Sequence, residues 1–298
     1  MMKRTLILSF LAMGAASLAS GQVLIYQYDF DANDAEGTTV NDVSGFGTAI
    51  NGTMRVSSTA TDLFADAAPS PDGGFYGNFT ADRSNLIFGN SKYNSEIAGS
   101  GGSGAFTVTM MLRDLQVTTG SRDPHDRAFF AKSFSGGQGG SMGLGLGNAN
   151  SSNNPSETHL ALRLNGNDYT FADTVDLSNA TTGDSDGWIL LAMTFSVADD
   201  TARVYTGREF TDNSWTISEV GSVTVAASTS LTSAARDMIF GGFQHGNVNP
   251  LANYDDFRLY DGVLDTDALS AIPEPSTYAA LFGLLAIGFV AWRRRRRA

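Results

Sequence analysis

The sequence predicts an all-β fold, an antiparallel β-sandwich of the jelly-roll kind, with a segment at each end that stays outside the folded part. Three observations carry this. Apolar residues recur with period two, clusters of Gly, Asn, Asp and Ser break every apolar run, and no long stretch holds the 3.6-residue period of an amphipathic helix. Composition agrees: 42% of the 298 residues are hydrophobic, only 17% are charged, and 33 are glycine. Such a mixture supplies a core and many turns but few helical surfaces.

The first segment is a secretory signal. Lys3 and Arg4 precede an apolar run from Thr5 to Met13, and Ala15, Ala16, Ala19 and Gly21 supply the small residues that signal peptidase reads. Cleavage after Gly21 starts the mature chain at Gln22; cleavage after Ala19 is the neighbouring alternative. The expected organisation is a signal peptide over residues 1–21, one domain over 22–270 and a sorting segment over 271–298.

Within the domain the strands follow in order. Phe106, Val108, Met110 and Leu112 alternate with Thr107, Thr109 and Met111, and Met142, Leu144 and Leu146 alternate with glycines. Leu160, Leu162 and Leu164 alternate with Ala161 and Arg163. Trp188 to Phe195 is apolar on both faces, as a central strand must be. Val204 and the run Val223 to Val225 add shorter pieces, and Phe257 and Leu259 alternate with Asp256, Arg258 and Tyr260. One helical turn is expected near Asp265 to Leu269, with Asp265 as its N-cap. Residues 99–104 and 148–154 read as flexible surface loops.

The last segment is apolar and uncharged from Thr277 to Trp292, then ends in Arg293, Arg294, Arg295, Arg296 and Arg297. As a helix it reaches roughly 24 Å, against a hydrocarbon core of about 30 Å. Trp292 at the interface and snorkelling arginines make up the difference, and the positive-inside rule keeps the arginines cytoplasmic. A single transmembrane helix with the domain outside is the expectation.

Charge and chemistry narrow the function classes. The formal net charge is −12, and the domain is more acidic still, because Lys3, Arg4 and the five terminal arginines belong to the ends. This surface repels nucleic acid and anionic lipid. The absence of cysteine excludes disulfides, thiolate metal sites and thiol catalysis. His125, His159 and His245 lack metal-ligand spacing, no Gly-x-Ser-x-Gly elbow occurs, and the glycines of 136–147 match no phosphate-binding loop.

The order Pro273-Glu274-Pro275-Ser276, apolar span and five arginines resembles the PEP-CTERM sorting signal of Gram-negative bacteria. The resemblance implies signal peptidase and an exosortase as processing partners, transient anchoring in the inner membrane, cleavage near Pro-Glu-Pro, and delivery to the cell surface or extracellular matrix.

Four further segments, in order, resemble the laminin-G-like jelly roll of the concanavalin A-like lectin/glucanase superfamily. They are Tyr28-Asp29-Phe30-Asp31 with Asp42-Val43-Ser44-Gly45-Phe46-Gly47 and Asn51-Gly52-Thr53; Ala105 to Met110; Gly187 to Phe195 with Val204 to Gly207; and Ile239-Phe240-Gly241-Gly242 with Tyr254 to Tyr260 and Val263-Leu264. The resemblance implies a lectin-like domain that binds surface polysaccharide or another matrix component. Hydrolytic relatives carry Glu-x-Asp-x-x-Glu on one strand, which would set two carboxyls beside a glycosidic bond. No such string occurs here, so the domain is expected to be non-enzymatic. A structural matrix or adhesion protein without a small ligand is the alternative.

Two sets of candidate residues follow. Strand phase puts Asp255 on the face of Phe257 and Leu259, where a carboxylate needs a partner. Asp42 opens the turn that related domains bring beside this strand. A structural Ca²⁺ held by Asp42, Asp255 and loop carbonyls is one reading, and hydrogen bonding of both to backbone amides is the other. For sugar binding, Trp215 with Asp212 and Asn213 forms one candidate platform. Phe243, His245, Asn247 and Asn249 form a second loop cluster.

Overall fold

The computed structural model describes residues 22–30, 39–55, 64–65, 76–79, 85–116, 128–132, 142–146, 157–164, 167–178, 187–209, 215–226, 231, 237–241, 251–272 and 293. The signal segment, the Pro-Glu-Pro element and the expected membrane span lie outside these residues. Among the described residues no helix is long and apolar enough to cross a membrane.

Among the described residues sixteen strands build two antiparallel sheets. They are β1 (Val23–Tyr28), β2 (Thr39–Val40), β3 (Gly52–Arg55), β4 (Phe64–Ala65), β5 (Tyr76–Asn78), β6 (Asn85–Phe88), β7 (Ala105–Gln116) and β8 (Ala128–Lys132). Then follow β9 (Met142–Leu146), β10 (Thr158–Leu164), β11 (Asn167–Val175), β12 (Ile189–Ser196), β13 (Thr201–Glu209), β14 (Trp215–Thr224), β15 (Met238–Phe240) and β16 (Leu251–Asp261). The first sheet runs β14-β13-β12-β7-β16-β5-β4, with β1 also paired to β16. The second runs β11-β10-β9-β8-β15-β6-β3-β2. The sandwich expected from the alternation is therefore the fold observed.

Strand β12 shows how the pattern works. It pairs residue for residue with β7 on one side and β13 on the other. Ile189, Leu191, Met193 and Phe195 enter the core between the sheets. Leu190 and Ala192 point the other way, yet they too are buried, in two smaller apolar clusters on the outer face of the same sheet. That second burial is why the strand is apolar on both faces.

The main core is aromatic where the sheets meet. Phe257 of β16 touches Tyr28, Phe88, Phe130 and Phe240, at ring separations of 6.2, 5.7, 5.4 and 4.6 Å. One ring thus contacts β1 of its own sheet and β6, β8 and β15 of the other. Tilted ring pairs at such distances add about 0.5–1.5 kcal/mol each beyond their burial.

Helix α2 (Thr266–Ser270) lies where the single helical turn was expected, and the Asp265 side chain accepts a hydrogen bond from Ala268 N at 2.8 Å. Leu269 packs with Ala192, Tyr205, Tyr260, Leu264 and Ile272 on the outer face of the first sheet. A second short helix, α1 (Ser91–Tyr93), runs into a wider turn over Asn94–Ala98 and was not foreseen from the sequence. It buries Tyr93 and Ile97. Residues 99–104, expected as a flexible loop, close this turn instead: Gly102, Ser103 and Gly104 donate backbone hydrogen bonds to Gly99, Glu96 and Ile97. Residues 148–154 lie outside the described residues.

Gly241 follows β15 with φ +77° and donates its N–H to Phe129 O of β8 at 2.8 Å. A Cβ here would stand 1.9 Å from Cδ2 of buried Phe79. Gly241→Ala is therefore expected to cost at least about 2 kcal/mol, from the left-handed backbone and the displaced ring together. Urea unfolding followed by fluorescence measures this; an unchanged midpoint would contradict the packing described.

Candidate functional site

Two polar centres stand out among the described residues. The first is built on Asp42, just after β2. Its side chain is fully buried, and Oδ2 accepts Lys92 Nζ at 2.5 Å. Oδ1 accepts the amides of Ser44 (3.1 Å) and Gln27 (3.3 Å), and Oδ2 also accepts the amide of Ile50 (3.1 Å). Gly45 and Gly47, with φ +70° and +59°, let residues 44–50 curl around the carboxylate. The Lys92 ammonium stands 5.3 Å from the Tyr26 ring centre and 5.9 Å from that of Phe46. Tyr26 donates its hydroxyl hydrogen to Gly89 O and accepts the amide of Lys92. Burial alone would raise the Asp42 pKa; Lys92, Ser44 and Ile50 outweigh it and hold the carboxyl below its usual range.

The sequence left two readings for Asp42 and Asp255, a shared cation or backbone amides. In the structure Asp42 accepts three amides and a lysine, and Asp255 Oδ1 accepts the amide of Asp256 at 2.7 Å. A Ca²⁺ at Asp42 would meet an ammonium on the oxygen it needs, so this donor set does not suit the ion. No cluster of three or more His, Asp or Glu side chains arranged for a metal occurs among the described residues.

The strand phase expected for Asp255 is also corrected. The register of β16 against β7 shifts between Asp255 and Arg258, which marks a β-bulge, and Asp256 takes φ +44°. The extra residue puts Tyr254, not Asp255, in the core with Phe257 and Leu259.

The second centre lies on the outer face of the first sheet, at this bulge and beyond it. Asp256 forms a two-pronged pair with Arg258, Nε to Oδ1 and Nη2 to Oδ2, each 2.7 Å. Gln27 Nε2 adds a bond to Oδ1 at 3.0 Å. Further along, Asp114 lies within β7 with φ +58°. Its Oδ2 accepts Arg113 Nε at 3.2 Å and Asn253 Nδ2 at 2.9 Å. The Arg113 guanidinium lies 5.0 Å from the Trp188 ring centre. Asp114 is the exposed member, its side chain 51% accessible, while Arg113 and Asn253 are buried. The sequence held a signal for it: Arg113-Asp114 places two charges side by side where the apolar alternation of β7 should continue.

Trp215 was expected as an exposed platform. It is buried at 7% exposure, packed with Met111, Trp188 and Leu190. The β14 strand opens at Trp215 and faces it onto the sheet, so it serves as outer-face core. Asp212, Asn213, Phe243, His245, Asn247 and Asn249 lie outside the described residues.

Residues 271–296 match the PEP-CTERM protein-sorting motif. The motif marks an exported protein that is sorted to the cell surface and recognised by an exosortase during export. Comparison with curated proteins finds no match. Among solved structures, the receptor-binding domain of botulinum neurotoxin mosaic serotype C/D is 12% identical, with a TM-score of 0.47 over 84% of this chain and 50% of that one. The chain thus spans about half the length of that relative. Domain 4 of AbnA, a GH43 extracellular arabinanase from Geobacillus stearothermophilus, is 17% identical, with a TM-score of 0.47 over 84% of this chain and 97% of that one. Trypanosoma rangeli sialidase is 11% identical, with a TM-score of 0.45 over 83% and 32%.

Two measurements follow from the Asp42 centre. Lys92→Met leaves a buried carboxylate without its cation and is expected to lower stability by about 3–5 kcal/mol. The folded-state pKa of Asp42 is depressed, so its contribution is present above the unfolded value of about 3.9 and is lost as pH falls through the folded value. Acid melting should accordingly be shallower in the Lys92→Met protein than in the wild type. A chelator is expected to leave the wild-type melting temperature unchanged; a fall would return a cation to the site.

Proposed function

We propose that this is a non-catalytic module, displayed at the cell surface, that binds polysaccharide or another matrix component. The observation that carries the reading is the join between domain and motif. Ile272 is still buried on the first sheet, and the sorting motif begins at residue 271, so the sorted cargo is the β-sandwich itself. The reaction-centred alternative needs two carboxyl groups flanking a bond. The carboxylates of Asp42, Asp114 and Asp256 instead answer Lys92, Arg113 and Arg258.

Asp114 supports a binding role. Its carboxylate is half exposed and held in one orientation by a guanidinium and an amide, which lowers the ordering cost of accepting hydroxyl hydrogen bonds. A left-handed backbone at a non-glycine residue is the kind of strain that accompanies ligand contacts. A structural matrix role without a small ligand is the second reading, favoured by the mutual satisfaction of Gln27, Asp256 and Arg258.

Retention of the processed protein on a panel of immobilised surface polysaccharides tests this. Weak retention is expected, reduced severalfold by Asp114→Asn combined with Asn253→Ala, and separately by His245→Ala, with melting temperature preserved. No reducing sugar should be released. Turnover lost on substituting a single Asp or Glu would make the protein a hydrolase, and no retention across the panel would favour the structural reading.

A further inference from the structure

The sorting motif starts inside the folded domain. Its match begins at Ala271, which is the C-cap of α2 and donates its backbone N–H to Asp267 O. Ile272 N donates to Leu269 O, and the Ile272 side chain is 8% exposed. Leu269, at 1% exposure, sits with it against Tyr205, Tyr260 and Leu264. Pro273-Glu274-Pro275 follows with no spacer. The same end of the sheet is closed by the start of the domain: Val23 pairs with Asp261, and Gln22 Nε2 donates to Val263 O at 2.7 Å.

A processing enzyme holds several residues on each side of the bond it opens in an extended form, because a strand-like substrate presents its amides and carbonyls for pairing. For a bond near Pro273 to Pro275, the residues on the amino side are Leu269 to Ile272. These are helical or packed on the sheet, and the amides of Ala271 and Ile272 are already engaged by Asp267 and Leu269.

We propose that α2 is a latch on the sorting motif, and that processing draws on the minor population in which Leu269 and Ile272 have left the outer face of the sheet. Opening is local. Among the described residues the chain past Val263 contributes no strand, and α2 has five residues and one side-chain cap, so it releases without disturbing either sheet. Processing itself opens one peptide bond: the acyl carbon passes to water or to an acceptor amine, and the tail leaves with a new amino terminus. The latch changes only how often that bond is presented. When opening and closing are fast relative to cleavage, the rate follows the open population.

The inference rests on the surface-sorting reading, and the test separates the two. The full-length protein is expressed in its host, and loss of the C-terminal tail is followed by pulse-chase with an internal tag. Asp265→Ala removes the cap and Leu269→Ala removes the anchor; each is expected to speed tail loss, by roughly three- to tenfold for the cap. A flexible Gly-Ser spacer inserted between Ile272 and Pro273 should speed it as well, and on that background Asp265→Ala and Leu269→Ala should have no further effect. The spacer leaves the domain's own residues intact, so it reads the latch even if Leu269→Ala destabilises the fold. Equal rates in wild type, Asp265→Ala and spacer protein would overturn the latch alone. A tail retained in every variant, spacer included, would overturn the sorting reading and the latch with it.

Discussion

The fold depends on one buried ion pair. Asp42 lies after the second strand and Lys92 in the first helix, and neither has a regular ladder of its own to hold it. Their contact at 2.5 Å joins the loop of residues 42–50, the edge of β1 through the Gln27 amide, and α1 through Lys92. A carboxylate stripped of water costs several kcal/mol unless donors replace the solvent. Here four donors converge, and two glycines give the loop the backbone angles to aim them. The ring faces of Tyr26 and Phe46 then shield the ammonium.

The same constraint recurs on the outer face of the first sheet. The domain is rich in aspartate and poor in cations, so its buried acids are met by a few lysines and arginines or by backbone amides. Asp256 meets Arg258 two residues on, and the bulge in β16, with Asp256 at φ +44°, takes Asp255 off the face of Phe257. A regular strand would have put residues 255 and 257 on one face and driven a carboxylate into the aromatic core around Phe257. The strain of a left-handed aspartate, of order 1–3 kcal/mol, is the smaller penalty beside an unpaired charge among those rings.

This explains what could be read from the sequence and what could not. Strands β7, β9, β10, β12 and β16 were legible because each alternates or is apolar throughout, and α2 because Asp265 caps it. Strand β8, with both Phe129 and Phe130 in the core, escapes a period-two reading because a register shift follows Ala128. The α1 turn carries no helical period, since its eight residues hold only Tyr93 and Ile97 toward the core. Asp42 was legible as the residue that opens the glycine-containing turn, but nothing in Asn-Ser-Lys-Tyr marks Lys92 as its partner across 50 positions. Trp215 looked like a platform because its sequence neighbours are polar; burial on the outer face of a sheet is a tertiary fact. The phase of Asp255 failed at the bulge, which no alternation rule anticipates.

Strand β7 has a consequence of its own. It begins at Ala105, whose carbonyl accepts the amide of Gly262, beside the point where the chain enters at Gln22 and turns toward α2. It carries Asp114 nine residues further along one continuous strand. At about 3.3 Å per residue that is roughly 30 Å. Entry and exit of the chain therefore share one pole of the sandwich, and the exposed carboxylate occupies the opposite one. Whatever holds the domain by its tail therefore meets the first pole and leaves the Asp114 carboxylate a full strand length, roughly 30 Å, away from that hold.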